Sequence, residues 1–137
     1  MTEAEKAKAA FLDALAVGES EGLARAEGIS PYLILYGGGS FEKLPRTAYG
    51  FPIWNGKDNS HAAGRYQFEP ATWRGIVPRF KPGVPDFRNP DDQDWGAWFL
   101  AQQDYQARDG LHLLAVLKSR MFDSVGDTLR PTWTSMS

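Results

Sequence analysis

The N-terminal segment constrains the fold most, because it combines helical periodicity with a carboxylate on its apolar face. Residues 2–22 carry an apolar stripe at helical spacing. The stripe consists of Phe11, Leu12, Leu15 and Ala16. At about 100° per residue, Glu19 continues this stripe and Glu21 falls on nearly the opposite face. A carboxylate so placed pairs, caps another group or stays partly desolvated, and desolvation raises a carboxyl pKa towards the range of a general acid. A frayed helix end that releases Glu19 to solvent is the alternative.

Length and composition indicate one globular domain. A chain of 137 residues is long enough to bury a sizeable core. It has no apolar run near the roughly 18 residues of a membrane span, and its N-terminus is acidic and amphipathic, unlike a signal peptide. With no cysteine, the sequence excludes a disulfide framework and a thiolate nucleophile. A net charge of −2 without a dense Lys/Arg cluster argues against a nucleic-acid partner.

The predicted order of elements is a helix, an irregular middle and further helices. Thr2 and Glu5 form a capping-box pattern that begins the first helix, which we expect to loosen at Gly18 and Gly22. Residues 30–42 favour a short strand followed by a tight glycine turn. The Pro-, Gly- and Asn-rich residues 44–64 are typical of a long surface loop. Further helices are predicted from Pro70 to about Val77, from Asn89 to Gly110 and from Leu111 to about Val125. Most Trp and Phe residues are expected in the core.

The sequence predicts no metal ion and no cofactor. Its two histidines, His61 and His112, lie far apart, and a zinc site needs three or four convergent ligands. Gly37–Gly39 is followed by no Lys-Ser/Thr pair and opens no helix, so it is not a phosphate loop. No nucleophile-elbow pattern occurs, although a single sequence does not exclude a Ser-His-Asp triad.

Residues 62–73 are the second informative stretch, and together with the first helix they carry a resemblance. Glu19-Ser20 after an amphipathic helix, followed by Gly64-Arg65-Tyr66-Gln67, is similar to the lysozyme and lytic transglycosylase superfamily. The chain most resembles the bacteriophage lambda type endolysins over roughly residues 8–110.

Three further motifs of that family stand here in the same order. Phe11-Leu12-Asp13 precedes Glu19 at the spacing that the family shows before its catalytic Glu. The family's Gly-Gly-x-x-Phe turn resembles Gly38 to Phe41 or the overlapping Gly37-Gly38. Its Asp-Phe-x-x-x-x-Gln-Asp resembles Asp86-Phe87 followed by Gln93-Asp94, one residue longer here.

The resemblance implies an α+β fold, a mainly helical lysozyme-like domain over residues 1–137 with a small β-hairpin or sheet lining the substrate cleft. It implies cleavage of the β-1,4 bond between N-acetylmuramic acid and N-acetylglucosamine in peptidoglycan. Glu19 would donate a proton to the leaving oxygen and then take one from the C6 hydroxyl of the sugar, which closes a 1,6-anhydro ring. One carboxyl group suffices for this route.

Two alternatives stay open. A hydrolytic muramidase needs a second carboxylate across the sugar. Some phage lysozymes place an Asp nine residues after the Glu, but that position is Gly28 here, and nothing marks Glu27 or Glu42 as the partner. A catalytically weak wall-binding or inhibitor-binding module of the same fold is the other alternative.

The resemblance also implies substrate-binding residues around Glu19. Ser20 would bind substrate or cap the helix end, and Gln67 would reach the N-acetyl or peptidyl side of muramic acid. Tyr66 would present its ring and hydroxyl to the sugar. Arg65 would contact the lactyl carboxylate or peptide stem, or form a structural ion pair. Other expected cleft residues are Tyr36, Ser60, His61 (with an ordinary surface role as its alternative) and Gly64, which would let backbone approach the cleft.

The chain departs from that family in two respects. Such endolysins are often basic, whereas this chain is slightly acidic, which predicts weak wall affinity or a partner that supplies it. The family also continues beyond the point where this sequence ends, residues 132–137, which predicts an incomplete C-terminal cleft wall. We expect a monomer that binds peptidoglycan glycan strands. It would be made in the cytoplasm and reach the periplasmic wall by holin-type release or within a phage particle.

Overall fold

A computed structural model describes residues 2–80 and 83–104, and this part of the chain is mainly helical. The α-helices are α1 (Glu3–Ala16), α2 (Gly22–Glu27), α3 (Pro70–Ile76) and α4 (Pro90–Asp104). A π-helical turn, Val17–Glu21, joins α1 to α2, and 3₁₀ turns occupy Pro31–Leu33 and Val77–Arg79. The predicted helix end at Gly110 and the predicted helix over residues 111–125 lie outside the described residues.

The predicted starts of the first helix and of α4 are confirmed. The Thr2 hydroxyl accepts a hydrogen bond from Glu5 N at 3.1 Å, and Thr2 N donates to the Glu5 carboxylate at 3.3 Å. This reciprocal pair satisfies two amide groups that the first turn leaves open. At α4, Asn89 Oδ1 accepts from Asp91 N at 2.9 Å, and Pro90 occupies the first helical position.

The first helix loosens near Gly18 as predicted, because its regular α-helical part ends at Ala16 and a π turn follows, but the chain does not leave the helical path at Gly22. The helical path continues through both glycines as the π turn and α2, and it ends at Gly28, whose φ of +67° suits glycine. A π turn hydrogen-bonds i to i+5 instead of i to i+4, so the regular phase of 100° per residue no longer holds beyond Val17. The direction of Glu21 predicted from that phase is therefore unreliable.

The predicted strand in residues 30–42 and the predicted β-hairpin are not confirmed. Within residues 2–80 and 83–104 the structure forms isolated antiparallel bridges instead of strands. Leu35 pairs with Ala63, and Ala63 also pairs with Phe68. The predicted tight turn is present, since Leu35 N donates to Gly39 O at 2.8 Å. Pro31–Leu33 forms a 3₁₀ turn and Gly37–Gly39 all have positive φ, so too few extended residues remain for a strand.

The core lies where α1, α3 and α4 meet the irregular middle of the chain. The apolar stripe of α1 is buried as predicted, with Phe11 edge-on to Trp98 of α4 at 5.8 Å between ring centroids. A cluster of buried aromatic rings centres on Phe87, which packs on Trp73 at 4.9 Å and on Phe51 at 4.5 Å. No helix in the described part of the chain has the length and hydropathy needed to cross a bilayer.

Candidate active site

Glu19 lies at a groove together with three other polar side chains. Glu19, Tyr36, Asp58 and Gln67 each line two cavities of about 310 and 400 Å³, which we call the Glu19 groove. The first cavity is completed by Ser20, Leu23, Ile34, Leu35, Gly37 and Lys57, and the second by Asn59, Ser60 and Ala62. The groove therefore joins the π turn to two segments of the irregular middle.

The π turn changes the direction of Glu21 relative to Glu19 from the direction predicted for a regular helix. Glu19 is half-buried and faces the groove, which agrees with its expected position. Glu21 was expected in solvent, but its side chain is 27% exposed and lies 3.3 Å from the Arg65 guanidinium. The expected direction of Glu21 is wrong because the π turn changes the phase of the helix. π turns are frequent at functional sites.

Gln67 reaches the groove through a tight turn. Gly64 O accepts from Gln67 N at 3.2 Å and from Gln67 Nε2 at 2.8 Å, which fixes the side-chain amide. Gln67 has a φ of +54°, a conformation that costs energy for a residue with a side chain and that clusters at functional sites. The turn directs Gln67 to the groove and leaves Arg65 and Tyr66 elsewhere.

Arg65 lies outside the Glu19 groove and holds a cluster of polar side chains. Its side chain is 12% exposed and contacts Asp13 at 2.5 Å, Glu21 at 3.3 Å and Asp94 at 3.8 Å. Its Nη1 also donates to Tyr66 Oη at 3.0 Å. The Arg65 network, as we call it, comprises Arg65, Asp13, Glu21, Tyr32, Tyr66 and Asp94. These contacts support the structural ion pair over the expected contact to a lactyl or peptide carboxylate.

Tyr66 is a core residue in this network. Its side chain is fully buried, and its hydroxyl donates to Asp94 Oδ1 at 2.6 Å. The expected contact of Tyr66 with a sugar is therefore not supported. Burial and the hydrogen bond to Asp94 raise the pKa of Tyr66, and the same causes raise the pKa of Tyr32. Burial lowers the pKa of Arg65, but its contacts with Asp13 and the tyrosines outweigh burial, so the net shift is upward.

Gly64 is required by packing. Its φ is +83°, and a Cβ there would lie 2.5 Å from Gln93 Oε1 and 2.8 Å from Phe87 Cζ. Gln93 is fully buried, and its Oε1 accepts from Arg65 N at 3.0 Å. The backbone of Gly64 thus approaches Gln93, whereas we expected it to approach substrate.

Ser20 joins the groove to the Arg65 network. It is buried, and its hydroxyl donates to Arg65 O at 2.5 Å while the residue still lines the first cavity. Glu21, the next residue, binds the guanidinium of the same arginine. Two consecutive residues of the π turn are thus held by Arg65, directly after Glu19.

Tyr36, Ser60 and His61 differ in their access to the groove. Tyr36 is 38% exposed and lines both cavities. The Ser60 hydroxyl lines the second cavity but donates to the buried Glu69 carboxylate at 2.5 Å. His61 N donates to the same carboxylate at 2.9 Å, and its ring lies edge-on to Trp54. His61 is not among the residues that line the groove.

The sequence did not identify Lys57 and Asp58 as groove residues. Lys57 and Ser60 exchange backbone hydrogen bonds of 2.8 Å, and the central residues Asp58 and Asn59 have φ of +51° and +64°. Asp and Asn are the residue types that adopt such turns most readily after glycine. The Asp-Asn pair thus signals a turn, but no local pattern indicates that it faces Glu19. In residues 2–80 and 83–104, no group of three or more His, Asp or Glu side chains could hold a metal ion.

Comparison with known proteins supports an endolysin but does not distinguish the lambda type. The family model described as Endolysin matches residues 9–137. No curated protein and no solved structure gives a significant match. The family match covers nearly the whole sequence and includes every residue of the Glu19 groove. The chain therefore belongs to the endolysin family, the phage enzymes that degrade the peptidoglycan of the bacterial cell wall.

Proposed function

We propose that the protein is a lytic transglycosylase of the lambda endolysin type, with Glu19 as its acid and base. The observation that carries this proposal is the position of Glu19 at a groove beside the fixed amide of Gln67. The other glutamates considered as partners lie elsewhere. Glu27 accepts from Gly39 N at 2.7 Å, and neither Glu27 nor Glu42 lines the groove.

The proposed reaction moves one proton out of Glu19 and one back. The Glu19 carboxyl protonates the glycosidic oxygen, and the N-acetylglucosamine side leaves from an oxocarbenium-like transition state. The Glu19 carboxylate then accepts the proton of the C6 hydroxyl while that oxygen bonds to C1. The ring closes as 1,6-anhydro-N-acetylmuramic acid, and no water is consumed. An intramolecular nucleophile gains from proximity because it is already part of the substrate.

Two neutral side chains fit the sugar in this groove. The Gln67 amide offers donors and an acceptor to the N-acetyl or peptidyl side of muramic acid. The half-exposed ring of Tyr36 offers a flat apolar face with a polar tip. Ser20 would act through the backbone of Arg65, which it binds.

A hydrolytic muramidase is the second candidate, and one observation favours it. Asp58 lines both cavities together with Glu19. A second carboxylate can activate a water molecule or attack the sugar, which is the role that a two-carboxylate glycosidase requires. Asp58 therefore replaces Glu27 and Glu42 as the first residue to test for this role.

The released fragments distinguish the two reactions. Digestion of purified peptidoglycan should give muropeptides with 1,6-anhydro ends, about 18 Da lighter than hydrolysed ends by the mass of one water. Borohydride should leave these ends unchanged, and Asp58→Asn should keep most of the turnover. Reducible ends, together with loss of turnover in Asp58→Asn, would instead assign a hydrolase. Wall binding without release of any muropeptide would indicate a binding module.

The proposal extends to the setting in which this enzyme works. We infer a single lysozyme-like α+β catalytic domain over residues 1–137 that acts as a monomer. The protein would be made in the cytoplasm and reach the periplasmic wall by holin-type release or as part of a phage particle. The endolysin family match supports action on the cell wall.

A further inference from the structure

Lys57 places a positive charge at the rim of the Glu19 groove. Among the described residues that line the groove, it is the one with a cationic side chain. Its aliphatic stem lies against Gly37, where an added Cβ would be 2.6 Å from Lys57 Cδ and 3.1 Å from Nζ. Gly37 has a φ of +80°, a conformation that favours glycine. Because glycine has no side chain, this position leaves room for the lysine.

Lys57 forms no ion pair with the residues that the structure describes. Within residues 2–80 and 83–104, no carboxylate lies within 4.0 Å of its ammonium group, in contrast to Lys6 and Arg65. The backbone of Lys57 is fixed by the two hydrogen bonds that close the turn to Ser60. The side chain thus starts from a rigid turn, packs on a glycine and ends in a cation available to a ligand.

The chemistry of the substrate offers a partner for this cation. The sugars of peptidoglycan present hydroxyl and N-acetyl groups, which are uncharged and suit Gln67 and Tyr36. Carboxylates occur on the peptide stems that muramic acid carries. The protein has a net charge of −2, so its overall charge does not attract an anionic strand, and any attraction must be local.

We propose that Lys57 binds a carboxylate of the peptide stem and thereby selects glycan strands that carry anionic stems. This inference rests on the proposed action on peptidoglycan. A lysine ammonium recognises a carboxylate as a point charge with three donors, which tolerates the variable geometry of a flexible stem. Because the site is partly exposed, we expect a preference of about three- to fivefold.

Binding of a catalytically silent protein tests this inference separately from the reaction. Insoluble peptidoglycan is prepared in two forms, one native and one with its carboxylates converted to amides by carbodiimide and ammonia. Co-sedimentation measures the Kd of the full-length Glu19→Gln protein for both forms. We expect about three- to fivefold tighter binding to the native form, and a smaller preference at high salt. Adding Lys57→Gln should make the two Kd values equal, whereas adding Lys43→Gln, which removes an exposed lysine outside the groove, should keep the preference.

The two proposals fail in different ways. An equal preference in the proteins with and without Lys57→Gln would overturn the role of Lys57, and so would an absence of binding to both forms. A role of Lys57 in neutralising Glu19 predicts no effect of Lys57→Gln in the Glu19→Gln protein, which would also overturn the inference. Failure of the proposed reaction shows instead as absence of muropeptides from the active protein, a measurement that does not depend on this preference.

Discussion

The Glu19 groove and the Arg65 network are two polar regions that both receive side chains from the same four-residue segment. The turn of residues 64–67 gives Gln67 to the groove and Arg65 and Tyr66 to the network. In the network, Arg65 is largely withdrawn from water and binds three carboxylates, of which Asp13 stays exposed. In the groove, Tyr36 and Asp58 are exposed, whereas Ser20, Ser60 and Gln67 are buried and hydrogen-bonded. The sequence motif therefore predicted a segment that reaches the groove, but not which of its side chains does so.

The energetics of burial explain why the charged groups around Arg65 are paired. A charged group withdrawn from water is stable only when it is paired, as Arg65 is with Asp13, Glu21 and Asp94. A separate cavity of about 590 Å³, which we call the α1–α4 cavity, borders this network between α1 and α4. It is larger than either cavity of the groove, but of the four carboxylates that line it, Asp13 and Asp94 are bound to Arg65 and Glu5 is bound to the amide of Thr2. Size alone does not make it the active site.

Of the substitutions that distinguish the groove from the network, we expect the largest effect on turnover at Glu19. Glu19→Gln removes the titrating proton at nearly constant shape, and we expect a loss of turnover of about a thousandfold, within the range of general acid catalysis. Thermal unfolding should be nearly unchanged. Glu21→Gln is the control, and it should keep most turnover while losing some stability, because Glu21 binds Arg65. If Glu21→Gln were inactive and Glu19→Gln active, the reaction would take place at the Arg65 network and not in the Glu19 groove, which would contradict the proposal.

A loss of stability is expected at Arg65. Arg65→Gln leaves three carboxylates without their cation, and we expect the free energy of unfolding to fall by about 3 kcal/mol. Turnover measured well below the melting temperature should change little. Denaturant unfolding measures the effect, with Arg74→Gln as a control at an exposed position on α3. Unchanged stability with lost turnover would move Arg65 from the network to the substrate.

Gln67 is expected to show the reverse pattern. Gln67→Ala should lower turnover at least tenfold, equivalent to about 1.4 kcal/mol of transition-state binding. Its stability should fall less than that of Arg65→Gln, because one hydrogen bond to Gly64 is lost. Gln103→Ala, an exposed glutamine of α4, controls for the change of residue type. A large stability loss with normal turnover would make Gln67 a structural residue.

The smallest effect is expected at Tyr66. Tyr66→Phe removes the donor to Asp94 and should cost about 1 kcal/mol of unfolding free energy at neutral pH. The raised pKa of Tyr66 means that the unfolded protein loses this proton first, near its ordinary value of 10.0. The stabilisation is therefore complete below pH 10.0 and declines as pH rises above it. The free energy of unfolding, measured across this pH range, should decline less steeply in Tyr66→Phe than in the unchanged protein. Equal slopes would contradict the assignment.

Local patterns in the sequence predicted the parts of this protein that local forces determine. The capping pairs at Thr2 and Asn89, the buried stripe of α1 and the start of α3 follow from propensity and periodicity. The groove position of Glu19 also agreed with periodicity, since Glu19 is only the third residue of the π turn and the change of phase is still small there.

Contacts between distant residues determined what the sequence could not predict. Arg65 meets Asp13 and Glu21 across a long stretch of chain, and no local pattern marks those pairs. The π turn is likewise invisible to a regular helical period, and it changed the direction of Glu21. The turn at Lys57–Ser60 has a local signal, but its position beside Glu19 depends on the folding of the whole irregular middle.

The most direct test asks which region binds the sugar. A soluble peptidoglycan fragment is titrated into the isotope-labelled Glu19→Gln protein, and backbone amide shifts are followed by NMR. The account predicts the largest shifts at Tyr36, Asp58 and Gln67, in the Glu19 groove, with little change in the α1–α4 cavity. Shifts concentrated at Lys8 and Trp95, which line the α1–α4 cavity, would contradict it.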